Sequence, residues 1–150
     1  YFTIEILYFW VILGVLPFWF ILIFLPQSNI CKIFITTIFP ILLLSGTYIF
    51  MLYVMFQNNY DFFSNFELYL GIKNLTNLFS NNYFLIVFWI HFISINLFIG
   101  SWVVKDSQKF NINKILLSLP LVIIYLIGQL GIVVYWIIKI FYAKRISLYD

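Results

Sequence analysis

Four long apolar stretches, separated by polar connections, dominate the chain. They run from about Ile6 to Leu25, Ile33 to Phe56, Tyr83 to Val104 and Ile115 to Ile140. A helix needs about 20 apolar residues to cross the hydrocarbon core of a bilayer, and each stretch meets this length. The pattern predicts an all-α membrane protein, in which residues 1–150 form a single domain of about four transmembrane helices. Four spans would place both ends of the chain on one side of the membrane.

The connection between the second and third stretches, from Gln57 to Asn82, is the longest and is rich in asparagine. Four of its apolar residues recur at helical spacing and would share one face. This predicts a short amphipathic helix lying at the membrane surface. The alternative is an ordered loop whose apolar residues touch the helix bundle. The four residues are Leu68, Ile72, Leu75 and Phe79.

Composition supports the membrane assignment, because 65% of the residues are apolar and only 9% are charged. A water-soluble domain of this size could not cover its surface with so few charges. Isoleucine, phenylalanine, asparagine and tyrosine are frequent, whereas arginine occurs once. Because the frequent residues have AT-rich codons, we infer an AT-rich genome, which favours an organellar setting.

Basic residues lie mainly at the ends of the apolar stretches, where lysine side chains can reach lipid headgroups. We therefore expect membrane lipids, such as cardiolipin, among the partners of the chain. No run of basic residues suggests binding to nucleic acid. The single cysteine, Cys31, excludes an internal disulfide. The expected headgroup contacts are Lys105, Lys109, Lys114, Lys139, Lys144 and Arg145.

The third stretch carries polar or small residues on two sides. At about 100° per residue, His91 and Ser94 share one face, whereas Asn96 and Gly100 lie nearly opposite. This predicts that the third helix is the most buried and that His91 and Asn96 bond to different neighbours. Small and amide residues elsewhere also favour helix association. The full set of expected packing residues is His91, Ser94, Asn96, Gly100, Gly46, Gly128, Gln129 and Gly131.

No complete catalytic or cofactor site is visible in the sequence. His91 is the only histidine, so it could ligate haem only with a partner from elsewhere. The predicted spans contain no carboxylate, which leaves it without a partner for acid–base chemistry. We therefore expect no metal and no cofactor. Aromatic residues reach 23% of the chain, which is typical of interfacial belts and packing but also of a carotenoid or quinone pocket.

Several motifs follow one another in a recognisable order. They are Leu16–Trp19, Leu25–Pro26, Pro40 to Tyr53, Trp89–Phe92, Asn96–Phe98 with Asp106, and the last stretch after Pro120 with Gly128 and Gly131. Their order resembles the ABA-deficient-four-like family. That resemblance implies a small multi-span membrane protein, and plant members of the family are plastid proteins required for making the xanthophyll neoxanthin. The family has an acidic residue where this chain has Asn96, and often an arginine near Ser101.

Two hypotheses of function follow. The missing catalytic groups favour a non-catalytic accessory subunit of a large organellar complex, either of the respiratory chain or an ATP synthase, in the mitochondrial inner membrane. Its partners would be other transmembrane subunits. The family resemblance favours the alternative, a membrane protein of carotenoid biosynthesis in a plastid membrane.

Overall fold

A computed structural model describes residues 3–35 and 37–144, with the side chain of Phe34 excluded, and every element in this part of the chain is helical. This confirms an all-α membrane protein. A π-helical turn at Cys31–Ile35 and a 3₁₀ helix at Phe62–Tyr69 lie in the connections. The α-helices within the described residues are α1 (Ile4–Phe24), α2 (Phe39–Gln57), α3 (Ile72–Phe79), α4 (Asn82–Gln108), α5 (Lys114–Leu126) and α6 (Gln129–Ala143).

Three of these helices, α1, α2 and α4, are long and apolar enough to cross a membrane. Asn81 caps the start of α4, because its Oδ1 accepts hydrogen bonds from Tyr83 N at 2.9 Å and Phe84 N at 3.4 Å. Helix α2 begins later than the predicted Ile33, since Pro40 occupies its first turn. Proline is favoured at that position because its nitrogen has no hydrogen to leave unpaired.

The fourth predicted span is two helices, so the expectation of one continuous helix from Ile115 to Ile140 is wrong. The chain breaks at Gly128, whose φ of +78° is a left-handed conformation that favours glycine. The 13 residues of α5 and the 15 residues of α6 extend about 20 Å and about 22 Å. Neither length reaches across a hydrocarbon core of about 30 Å.

Helices α5 and α6 fold back on each other as a hairpin. A Cβ on Gly131 would lie 2.6 Å from Ile124 N and 2.7 Å from Pro120 O, so α6 passes directly beside α5. A continuous helix would separate residues 120 and 131 by about 16 Å. Further along, Tyr135 and Lys139 contact Asp106 near the end of α4. We therefore describe α5 and α6 as a re-entrant hairpin with its tip at residues 127–128.

The hairpin changes the topology that the sequence suggests. The turns that follow α1 and α4 lie on one side, where Gln108 Nε2 donates to Pro26 O at 3.0 Å and Lys114 Nζ donates to Phe24 O at 3.5 Å. We call this the short-turn side, and the side with residues 58–81 the long-loop side. Because α5 and α6 enter and leave on the short-turn side, residue 3 and residue 144 lie on opposite sides.

Helix α4 is the centre of the fold and contacts α1, α2, α3, α5 and α6. Of the three long helices it is the most buried, with 39% of an 18-residue stretch buried against 22% for α1 and α2. The predicted helix in the middle connection is present in part as α3. Leu68 lies in the preceding 3₁₀ helix, and the buried residue of α3 is Leu78 rather than one of the four expected residues. Several residues before α3 are exposed and apolar, including Phe63, Phe66 and Leu70, which suits contact with a membrane surface.

Candidate functional site

A buried polar cluster ties the re-entrant hairpin to the end of α4. Asp106 is 3% exposed and Lys139 is 1% exposed, and Lys139 Nζ lies 3.0 Å from Asp106 Oδ2. The Tyr135 hydroxyl donates a hydrogen bond to the same Oδ2 at 2.6 Å. Lys109 Nζ lies 3.7 Å from the other carboxylate oxygen but is itself mostly exposed. The carboxylate therefore has one fully buried cation and one at the surface.

Aromatic rings complete the surroundings of the cluster. Lys139 Nζ lies 5.1 Å from the centre of the Phe110 ring and 5.9 Å from that of Trp102. The Trp102 and Tyr135 rings meet edge to face at 5.9 Å. An ammonium group near aromatic rings is attracted by their negative faces. The cluster is thus a packed, hydrogen-bonded unit that can hold a charge inside the protein.

This cluster corrects two expectations from the sequence. Lys139 was expected at lipid headgroups, but α6 folds back and carries it to Asp106. Asp106 lies beyond the third predicted stretch, which ends at Val104, but α4 continues to Gln108 and buries it. The sequence held a usable signal: Tyr135 and Lys139 are four residues apart on one helical face, inside an apolar stretch. A charge inside a span requires a partner, and Asp106 is the acidic residue nearest to α5 in sequence.

A second polar feature lies at the tip of the hairpin. A cavity of about 160 Å³ opens between α1, α4 and α5, and its lining is mainly aromatic and aliphatic. Asn96 is the amide in this lining and is 5% exposed. Its Oδ1 packs so closely on Gly128 that a Cβ there would lie 2.6 Å away. Asn96 is ten residues before Asp106, which puts the cavity about 15 Å deeper in the membrane.

Two buried donors on α4 have no hydrogen-bond partner within residues 3–35 and 37–144. They are Nδ2 of Asn96 and the indole Nε1 of Trp89. Both residues line the cavity at the hairpin tip. Seven residues separate them, so they share one face of α4. Buried donors are nearly always paired, because an unpaired one costs about 1–3 kcal/mol.

A larger groove opens on the long-loop side between the first turns of α1 and α4, with a volume of about 810 Å³. Its walls are apolar and aromatic. Trp89, which also lines the cavity, has its ring centre 5.8 Å from that of Tyr8, with the two rings tilted by 35°. Glu5 and Asn82 are among the polar residues that line it. The groove therefore has a mainly apolar surface, with polar groups where the two helices begin.

Some of the residues predicted to serve helix packing lie against neighbouring helices, and others are exposed. Gly100 lies against the Trp19 ring, with a Cβ position 2.6 Å from Trp19 Cη2, and Gly128 and Gly131 are equally close to neighbours. Ser94 is half-buried and donates to Ile90 O of its own helix at 2.7 Å. In contrast, His91, Gly46 and Gln129 are exposed in this chain, so they do not pack against its own helices. For His91 the reason is that the neighbours of α4 cover its other faces.

The basic residues predicted to contact lipid headgroups are exposed in most cases, with Lys139 as the buried exception. Lys105, Lys109, Lys114 and Lys144 are exposed, as headgroup contact requires, and Arg145 lies outside the described residues. Among residues 3–35 and 37–144, no three histidine, cysteine or acidic side chains are grouped so as to hold a metal ion.

Comparison with known proteins identifies the family. The family model described as ABA DEFICIENT 4-like matches residues 6–135, which is most of the chain. Searches of curated proteins and of solved structures found no match. The matched region contains all but the first two residues of α1, the central α4, and the hairpin as far as Tyr135. The chain belongs to the ABA-deficient-four-like family.

Proposed function

We propose that the protein takes part in forming xanthophyll-type carotenoids in a plastid membrane. The observation that carries this proposal is the family match over residues 6–135. The family is associated with plastids and with the formation of neoxanthin. The apolar helices α1, α2 and α4 fit the membrane in which such pigments reside.

The groove between α1 and α4 supports the proposal through its shape and lining. A xanthophyll is a long apolar polyene with oxygenated rings at its ends. Ile4, Phe9 and Leu85 give the groove an apolar surface, and Glu5 and Asn82 add polar groups where the helices begin. A polyene lying along the two helices would have its polar end group at the height of these side chains.

The hypothesis of an accessory subunit in a mitochondrial complex has less support. It depends on the absence of recognisable catalytic groups from the sequence, and the comparisons connect the chain to a family of plastid proteins instead. Purification from native membranes distinguishes the two hypotheses, since a respiratory subunit would be recovered in a stoichiometric complex.

The direct test is complementation. A plant line that lacks its own ABA-deficient-four protein would be made to express the full chain with a plastid-targeting leader. We expect neoxanthin, measured by chromatography of leaf pigments, to return. Normal accumulation of the protein in the plastid membrane without any neoxanthin would overturn the proposal.

Two matched variants connect that result to the groove. Leu85→Trp fills the groove, whereas Ile95→Trp adds the same side chain to another face of α4. Leu85 and Ile95 are nearly equally exposed, at 44% and 45%. We expect Leu85→Trp to reduce neoxanthin several-fold and Ile95→Trp to leave it unchanged. Equal losses would mean that the groove has no special role.

A further inference from the structure

We propose that the cavity at the tip of the re-entrant hairpin is a ligand site for a six-membered ring that carries a hydrogen-bond-accepting oxygen. The proposal depends on the proposed function only for its biological ligand, the oxygenated end ring of a carotenoid. A quinone ring has the same chemistry. Three features of the described residues support the site: its volume, its unpaired donors and the break in the helix beside it.

The volume of the cavity fits a ring. A cavity of about 150 Å³ lined by apolar side chains can hold a benzene molecule. The cavity here measures about 160 Å³, and Val15, Trp19, Phe92 and Ile93 give it an apolar lining. A longer apolar molecule could place only its terminal ring inside.

The unpaired donors specify the polar part of the ligand. Asn96 is buried to 95%, and its Nδ2 lacks a partner among the described residues, as does Trp89 Nε1. Both groups donate hydrogen, so the matching ligand atom is an acceptor such as a hydroxyl, ether or carbonyl oxygen. The described residues that line the site include no charged side chain, which makes an ionic ligand a poor fit.

The hairpin tip explains how such a site is maintained inside a membrane. Non-helical backbone at this depth is tolerated only where protein buries it or where it borders a cavity. Gly128 lets the chain turn against Asn96, and Tyr125 and Leu126 from the end of α5 line the cavity. Interrupted helices at the middle of the bilayer form the binding sites of many transporters, for the same reason.

The first experiment uses two probes of nearly equal shape. Cyclohexanone carries an acceptor oxygen, whereas methylenecyclohexane has a CH₂ group in its place. The full chain, in detergent micelles and with ¹⁵N-labelled tryptophan, gives one indole signal for each of its five tryptophans. The signal that is missing from the spectrum of Trp89→Phe belongs to the Trp89 indole. We expect cyclohexanone to shift the Trp89 signal with a half-saturating concentration at least tenfold lower than that of methylenecyclohexane.

Variants then distinguish binding of the probes at the site from their partitioning into the micelle. Asn96→Leu keeps the size of the side chain but removes one of the two donors, so it should lower the tenfold ratio while Trp89 Nε1 remains. Ser94→Ala, on another face of α4, should leave the ratio unchanged. Equal half-saturating concentrations of the two probes with the unmodified chain would overturn the proposal. So would equal shifts of all five indole signals, and neither result depends on a variant that folds.

Three further titrations identify the source of the ring. Zeaxanthin and β-carotene have the same carbon skeleton, and only zeaxanthin carries ring hydroxyls. A Trp89 shift with zeaxanthin but not with β-carotene supports a carotenoid end group, and a shift with decylubiquinone alone supports a quinone. No shift with any of them would overturn the assignment. If complementation fails while cyclohexanone binds, the proposed function falls and the site remains. If complementation succeeds while cyclohexanone does not bind, the proposed function remains and the proposed site is wrong.

Discussion

Lys139 Nζ lies 3.0 Å from Asp106 Oδ2, although the two residues are far apart in sequence and both side chains are buried. The pair connects the last turn of α4 to α6 and so closes the re-entrant hairpin against the central helix. Tyr135 adds a hydrogen bond to the same oxygen. Because both side chains are shielded from water, loss of either one would leave the other charge buried without its nearest opposite charge.

Replacing Lys139 alone should therefore be costly. Lys139→Met leaves the Asp106 carboxylate buried without its internal cation, and loss of one partner of a buried pair costs about 3–5 kcal/mol. Lys109→Gln removes a mostly exposed cation at 3.7 Å from the same carboxylate and should cost less than ~1 kcal/mol. The free energy of unfolding in mixed micelles measures both.

The double variant Asp106→Asn with Lys139→Met completes that test. Both charges are then absent, and the amide oxygen introduced at position 106 could still accept from the Tyr135 hydroxyl. We expect the double variant to recover at least half of the stability that Lys139→Met loses. Equal or greater loss in the double variant would show that the ion pair does not hold the hairpin.

The close packing of α5 and α6 gives a second prediction. A Cβ at position 131 would clash with Ile124 Cγ1 and with two backbone atoms, Ile124 N at 2.6 Å and Pro120 O at 2.7 Å. Because backbone atoms cannot rotate away, Gly131→Ala should destabilise the protein by about 1–3 kcal/mol. Gly46→Ala is the control, since a Cβ there meets nothing within 4 Å.

Gly46→Ala should leave the stability unchanged or raise it by up to ~1 kcal/mol, because alanine favours helix over glycine. Thermal unfolding in micelles compares the two variants under one condition. If Gly131→Ala is as stable as Gly46→Ala, the hairpin packs less tightly than its atomic positions indicate.

The hydrophobic pattern was sufficient to predict most of the fold. Stretches of about 20 apolar residues identified α1, α2 and α4. Helix α4 is the most buried of the three, as expected, but only its Asn96 face packs inside the chain, whereas His91 is exposed. The span predictions succeed because the length and the periodicity of a single helix are local properties of the chain.

The hairpin and its cluster could not be predicted in the same way. A stretch of 26 residues from Ile115 to Ile140 is apolar whether it crosses the membrane once or turns back at Gly128. Glycine within a span also serves helix packing, so its presence at residue 128 did not indicate a left-handed conformation there. The partnership of Asp106 and Lys139 depends on that turn, and therefore on tertiary structure.

Cys31 provides a prediction about pH. It is fully buried in the connection between α1 and α2, and burial raises the pKa of its thiol to about 11 from its ordinary 9.0. The unfolded chain therefore loses the thiol proton more readily than the folded protein does. The stability contributed by the protonated thiol is complete below pH 9 and is lost as the pH rises through about 11.

Labelling with a maleimide at about pH 7.5, where an ordinary thiol is partly ionised, should be much slower for folded protein than for protein unfolded in SDS. Because Cys31 is the only cysteine, the signal has one source. The control is Asn29→Cys in a Cys31→Ala background, which places an exposed thiol on the same connection. Similar labelling rates for the two folded proteins would contradict the burial of Cys31.

The re-entrant hairpin makes its sharpest prediction about topology. Asn77→Cys and Lys109→Cys place exposed reference thiols on the long-loop side and the short-turn side, respectively. Membrane-impermeant labelling of sealed vesicles with uniformly oriented protein should modify only one of them. Because α5 and α6 return to the short-turn side, a tag fused after Asp150 should be accessible together with Lys109→Cys. A tag before Tyr1 should be accessible together with Asn77→Cys. A continuous fourth span would instead place both tags on the side of Asn77→Cys, and that result would remove the hairpin and the site at its tip.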